Sequence, residues 1–170
     1  MATSSTSRRG ASRSPRDGLV AADPAGKAAY EENAREYLAR LDQLDRDVRS
    51  TISTIPADKR LIVTDHRAFG YFEREYGIKF ASPQGLSTDA EPSAKGMASI
   101  ITAIRQSKAP AVFPENATDP RLMQQIATET GARIGGTLYS DALTDQKGDA
   151  STYIDLVRHN LRQLSSALSN

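Results

Sequence analysis

Cysteine is absent from these 170 residues, which excludes disulfides and thiolate metal sites and leaves the redox compartment open. Histidine is scarce, with two copies at His66 and His159. No apolar run approaches the ~18 residues needed to span a bilayer. The N-terminus has arginines but no apolar core ahead of Gly18-Leu19-Val20, so it does not read as a secretory signal. There is no glycine-rich phosphate loop, no serine in a strand-to-helix nucleophile elbow and no internal repeat. Charge of one sign is also missing, the formal net value being +1. Arg8, Arg9, Arg13 and Arg16 are opposed near the start only by Asp17, so the remaining body carries about −2. No basic field extends over that body, which argues against a nucleic-acid partner.

What is present suits an ordinary globular domain: 38% hydrophobic and 25% charged residues, enough to bury a core. The opening residues are Ser, Thr, Arg and Gly with almost nothing apolar, and a disordered basic tail is expected over 1–16. Asp23-Pro24 is a helix start, Asp as cap and Pro at the first helical position. Tyr30, Ala34, Tyr37, Leu38, Leu41, Leu44, Val48 and Ile52 then recur at three- and four-residue steps, one apolar stripe running toward Pro56. A helix of roughly thirty residues is a rod of roughly 45 Å. That is longer than one small α/β domain needs, so its first half is expected to pack on something outside this chain.

Beyond the rod, strands and helices alternate. Strands are expected over Leu61–Thr64, Ile78–Ala81, Ala111–Phe113 and Arg133–Ser140. The helices between them start near Ala68, at the Ser93 cap and at Asp119-Pro120. Gly77 and Gly131 stop two of them. Tyr153, Leu156, Val157, Asn160, Leu161, Leu164 and Leu168 mark a last amphipathic helix, capped at Ser151-Thr152. The alternation predicts an α/β fold: a parallel sheet of about four strands, flanked by helices and preceded by one long helix. The organisation is then a tail over 1–16, a long helix over 17–55 and an α/β lobe over 56–170.

Three potential ligands follow strands directly: His66, Glu115 and Asp141. In open α/β sheets, side chains at the carboxyl ends of strands line one crevice. Imidazole with carboxylate suits zinc, manganese or iron(II), and is too nitrogenous for calcium. Each residue also has a plainer role: His66 as a hydrogen-bonded loop residue, Asp141 as a turn cap, Glu115 bonding nearby backbone. His159, beside the apolar stripe of the last helix, reads as a packing histidine. Asp65 and His66 are neighbours whose side chains ordinarily point apart, so no acid–base dyad is expected from them.

The string Leu61-Ile62-Val63-Thr64-Asp65-His66-Arg67-Ala68-Phe69-Gly70-Tyr71-Phe72, with Tyr76-Gly77, resembles the solute-binding proteins of ATP-driven zinc, manganese and iron importers. Further matches are Gly85-Leu86-Ser87 with Ala90-Glu91-Pro92-Ser93, Val112-Phe113-Pro114-Glu115-Asn116, and Leu138-Tyr139-Ser140-Asp141-Ala142-Leu143. Thr152-Tyr153-Ile154 with Arg158-His159-Asn160, and Leu19 to Pro24 with Tyr30, Asn33 and Tyr37, complete the set. The resemblance implies two α/β lobes joined by a long linking helix, with the metal between them. It places two ligands, usually histidines, on an N-terminal lobe and two at the positions of His66 and Asp141. It implies a divalent cargo, zinc or manganese with iron also open, and an imidazole at 66 tilts toward zinc. It implies a supporting hydrogen bond for Glu115, a membrane permease of an ABC transporter as partner, a periplasmic or cell-envelope location, and no enzymatic step. The residues match only the C-terminal half, so the N-terminal lobe is expected to be missing, with weakened metal binding and an exposed apolar face. Two other classes stay open: a metal-dependent hydrolase using His66, Asp141 and Glu115, and a metal-free interaction module docking through its long helix.

Overall fold

The computed structural model describes residues 15–86, 92–107 and 111–168, so the expected tail lies outside it except at Pro15 and Arg16. Those two begin a short helix, α1, over 15–22. The chain breaks at Asp23, whose carboxylate accepts the Gly26 N–H at 3.3 Å and the Tyr30 hydroxyl at 2.8 Å. One 3-10 turn, Pro24–Gly26, leads into α2, Lys27–Thr54. The cap read from Asp23-Pro24 is therefore real, but it separates two helices.

Then follow β1 (Leu61–Val63), α3 (Gly70–Tyr76), β2 (Lys79–Ala81), α4 (Ala94–Ser107), β3 (Ala111–Val112), α5 (Arg121–Thr130), β4 (Arg133–Ile134) and α6 (Tyr153–Leu168). All strand pairs are parallel, in the order β2-β1-β3-β4. Gly77 and Gly131 end α3 and α5 at φ 67° and 76°, the left-handed region where a side chain is strained.

The two central strands, β1 and β3, are buried on both faces. Ile62 and Phe113 belong to a core built with Val48 and Ile52 of α2, Phe72 of α3 and Ile154 and Leu161 of α6. Val63 and Val112 face the other way, onto Ile100 and Ile104 of α4 and Met123 and Ile126 of α5. A sheet with helices on both faces buries strands on both sides, which is why these strands read as continuous apolar runs. In α2 the stripe is buried only from Leu41 onward, while Tyr37 is 39% exposed.

The fourth strand is shorter than the expected Arg133–Ser140. Gly135 N–H reaches Val112 O at 2.7 Å and Leu138 N–H reaches Pro114 O at 2.9 Å. Two positions separate those acceptors and three separate the donors, so one extra residue is accommodated and the ladder is interrupted. The glycines make room: a Cβ on Gly135 would overlap the Phe113 ring, and one on Gly136 the end of Gln163. The chain rejoins the sheet through a single bridge, Glu115 to Leu138.

The order β2-β1-β3-β4 fixes where a ligand would go. From β1 the chain winds outward to β2, then crosses to β3 on the other side and continues to β4. The crossovers leave in opposite directions between β1 and β3, and their carboxyl ends open the crevice. Asp65 and His66 follow β1, and Glu115 follows β3.

Candidate functional site

Two loops are latched across this crevice by reciprocal bonds. Glu115 N–H donates to Asp65 Oδ2 at 2.8 Å, and His66 N–H donates to Glu115 Oε1 at 3.0 Å. Thr118 Oγ1 donates to the same Asp65 oxygen at 2.9 Å. Burial raises the Asp65 carboxyl above the ordinary aspartate range, against the lowering pull of the bonds from Thr118 and the Glu115 N–H. Its other oxygen, Oδ1, is buried with no partner.

A folded-state value above the unfolded one means that the charged form is disfavoured on folding. Stability from this group is therefore present at low pH and is lost as pH rises through the raised value. Asp65→Asn keeps an oxygen for both donors and removes the charge. The variant is expected to melt above the parent at pH 7, and the gap to close as acidification protonates Asp65. Thermal melts between pH 4 and 8 check this; a gap that widens toward acid contradicts it.

The His66 ring is 5% exposed and has a carboxylate at each nitrogen. Glu115 Oε2 lies 3.0 Å from Nδ1, displaced from the line of a good hydrogen bond. Asp141 Oδ2 lies 3.0 Å from Nε2. The Asp141 side chain is 62% exposed while that of Glu115 is fully buried, so the Nε2 edge faces outward and the Nδ1 edge inward. Both ring nitrogens therefore face a carboxylate oxygen, and a cation seated between Nε2 and Asp141 Oδ2 would have a donor atom on each side.

The spacing suits a metal. Two ligands at 2.0–2.1 Å from a tetrahedral ion are about 3.4 Å apart, so admitting one requires the pair to open by only ~0.4 Å. Glu115 serves the other edge of the ring. The structure brings His66 and Asp141 together as one edge-to-edge pair, with Glu115 behind the imidazole. Among the described residues no group of three or more His, Asp or Glu is placed to hold a metal alone.

His159 plays no part. Its Nε2 lies 3.0 Å from Thr137 O and its ring packs edge-on against Tyr139. Sequence reasoning weighed Asp65 only as a dyad partner of His66 and gave Thr118, Asn116 and Asn160 no working role. Asn160 was visible as an amide in the apolar stripe of α6, and Asn116 as the neighbour of Glu115.

The profile of the family described as zinc-uptake complex component A, periplasmic, matches residues 11–167. The chain is 30% identical over 151 residues to the manganese ABC transporter substrate-binding lipoprotein PsaA of Streptococcus anginosus, covering 89% of this chain and 49% of that one. It is 36% identical to the zinc-binding protein TroA of Treponema pallidum, over 86% of this chain and 49% of that one. It is 36% identical to the iron-binding protein YfeA of Yersinia pestis, over 84% and 46%. The solved structure of the Treponema pallidum periplasmic zinc-binding protein superposes with a TM-score of 0.87 at 32% identity, covering 93% of this chain and 59% of that one. The chain thus spans about half the length of the curated relatives it matches.

Proposed function

The chain belongs to the family of periplasmic component A proteins of zinc-uptake complexes, and we propose that it forms the metal-contacting C-terminal lobe of a substrate-binding protein. That protein captures a divalent transition metal in the cell envelope and hands it to the permease of an ABC-type importer. His66 Nε2 and Asp141 Oδ2 are the two ligands from this lobe, and α2 is the linking helix. A second lobe supplies the remaining ligands. The metal is cargo, so binding and release are the whole of the chemistry.

The observation that carries this reading is the 3.0 Å approach of His66 Nε2 to Asp141 Oδ2, with Glu115 set behind Nδ1. A carboxylate packed behind a ligating imidazole helps to hold the ring in place and favours the positive charge that builds on it when metal binds. Relatives named for manganese, zinc and iron support a divalent transition metal in general. The imidazole at position 66 favours zinc within that set.

The hydrolase reading needs Glu115 at the same ion as His66 and Asp141. Glu115 instead occupies the opposite edge of the ring and the His66 N–H, which disfavours it. Glu115→Gln keeps the shape and removes the charge behind Nδ1. It is expected to weaken metal binding by roughly 10–100-fold, as for other groups that orient a ligand. Isothermal titration checks this; unchanged affinity would show that Glu115 only shapes the loop.

The test of function is a zinc and manganese titration of this chain alone and of the chain joined to the N-terminal lobe of a relative. Two ligands leave a four-coordinate ion half filled by water, so the joined protein is expected to bind several orders of magnitude more tightly. Equal binding would refute the half-site. Failure of either metal to shift the melting temperature of the joined protein, with a stable dimer formed, would favour the interaction module.

A further inference from the structure

Asp141 is carried by a segment that the sheet does not hold. After the mismatch at Gly135-Gly136, only Leu138 is bridged to a neighbouring strand. Leu138 is anchored in the core, but behind the residues that follow it lies a cavity of about 140 Å³, lined by Phe69, Phe72, Phe80, Tyr153 and Leu156. Ser140 Oγ is buried there with no partner. Yet a ligand in a metal site must be held within a fraction of an ångström.

Two asparagines meet the backbone of this segment. Asn160, nine-tenths buried on α6, accepts the Tyr139 N–H through Oδ1 at 2.8 Å and donates from Nδ2 to the Tyr139 carbonyl at 2.8 Å. Asn116, next to Glu115, accepts the Ser140 N–H at 3.3 Å and donates to the Ala142 carbonyl at 3.3 Å. Its own N–H donates to Leu138 O at 2.9 Å. The carboxamide has a donor and an acceptor a peptide's width apart, so each asparagine replaces a missing strand neighbour. The bonds fall on both sides of Asp141.

We propose that Asn116 and Asn160 are positioning residues for Asp141: together they clamp the 139–142 backbone and set its carboxylate against His66. The claim deepens the metal reading and rests on it for its consequence, though the clamp itself does not require metal. Glu115-Asn116 then forms a bracket after β3. Glu115 orients His66 on one side and Asn116 fixes the Asp141 segment on the other, so the spacing of the two ligands is set from a single loop.

Amide hydrogen exchange on the full chain reads the clamp directly. Asn160→Ala should speed exchange at Tyr139, and Asn116→Ala at Ser140, by roughly tenfold or more. The Phe113 amide, bonded to Val63 O in the sheet, should not change. Asn160→Gln, which keeps both the acceptor and the donor, should protect the Tyr139 amide better than the alanine does and covers the case in which the alanine variant folds poorly. Unchanged exchange at both positions overturns the proposal. In zinc titrations of the same chain, each alanine variant should weaken binding about 10–100-fold. In an Asp141→Ala background neither should weaken it further. Equal losses in both backgrounds would mean a general effect on the fold and overturn the positioning role. Where the two-ligand lobe binds zinc too weakly for the comparison, the same variants are compared in the chain joined to a relative's N-terminal lobe; no zinc binding by that joined protein would overturn the ligand assignment, and the exchange result would then decide the clamp.

Discussion

In the protein joined to a relative's N-terminal lobe, His66→Ala and Asp141→Ala are each expected to lower zinc affinity by more than ~100-fold. Orienting groups account for about 10–100-fold in such sites, and losing a direct ligand exceeds that. A hundredfold is about 2.7 kcal/mol of binding free energy. The two variants differ in what else they disturb. His66 is nearly buried between two carboxylates, so its removal also leaves Glu115 facing an unpaired void. Asp141 is largely exposed and its loss does not open the core. A matching drop in affinity from Asp141→Ala, with an unchanged melting temperature, therefore reads the metal alone. Retained affinity in both variants would show that the ligands lie elsewhere.

Phe113→Ala is expected to destabilise the lobe by about 3–5 kcal/mol. Phe113 is fully buried where β3 ends, and its ring occupies the space that Gly135 leaves open. Gly135→Ala pushes a methyl into that ring from the other strand, and overpacking of this kind costs about 1–3 kcal/mol. Because the two changes act on one contact, they should not add: the Gly135→Ala penalty should largely vanish when Phe113 is already alanine. Denaturant titrations of the two single variants and the double variant measure this. Additive losses would mean that Gly135 is needed for its backbone and not for the ring.

Most of the architecture was legible because its signals are local. The stops at Gly77 and Gly131, the Asp23 and Ser93 caps and the three-and-four spacing of α2 and α6 each act within a turn of the residues that declare them. The end of β4 was not legible. Ala-Val-Phe and Gly-Gly-Thr-Leu-Tyr both read as strand, and the one-residue mismatch between them is a property of the pair. The site divides in the same way. His66 and Asp141 were marked by their place just beyond strands, and the family resemblance singled out the same two. That they stand 3.0 Å apart depends on β3 lying beside β1 and on a bridge at Leu138. Glu115 looked like a polar loop residue because its partner, the His66 N–H, is 49 positions away. Asp65 was weighed only against its neighbour His66, because its actual partners, Glu115 N–H and Thr118, are also distant in sequence.

Helix α2 is covered along only part of its length. Its apolar stripe continues through Tyr30, Ala34, Tyr37 and Leu38 without a buried member, whereas Leu41, Leu44, Val48 and Ile52 are covered by the lobe. A face with this continuity fits packing against a further body along the first half of α2.

Nitrogen-15 spectra of the histidine side chains, recorded while the 170-residue chain is titrated with zinc, test the central assignment most directly. Zinc should shift His66 Nε2 strongly and His66 Nδ1 far less, move the Asp141 carboxyl carbon along the same binding curve, and leave His159 unchanged. A shift centred on His66 Nδ1 or on His159, or a His66 response that Asp141 does not share, would contradict it.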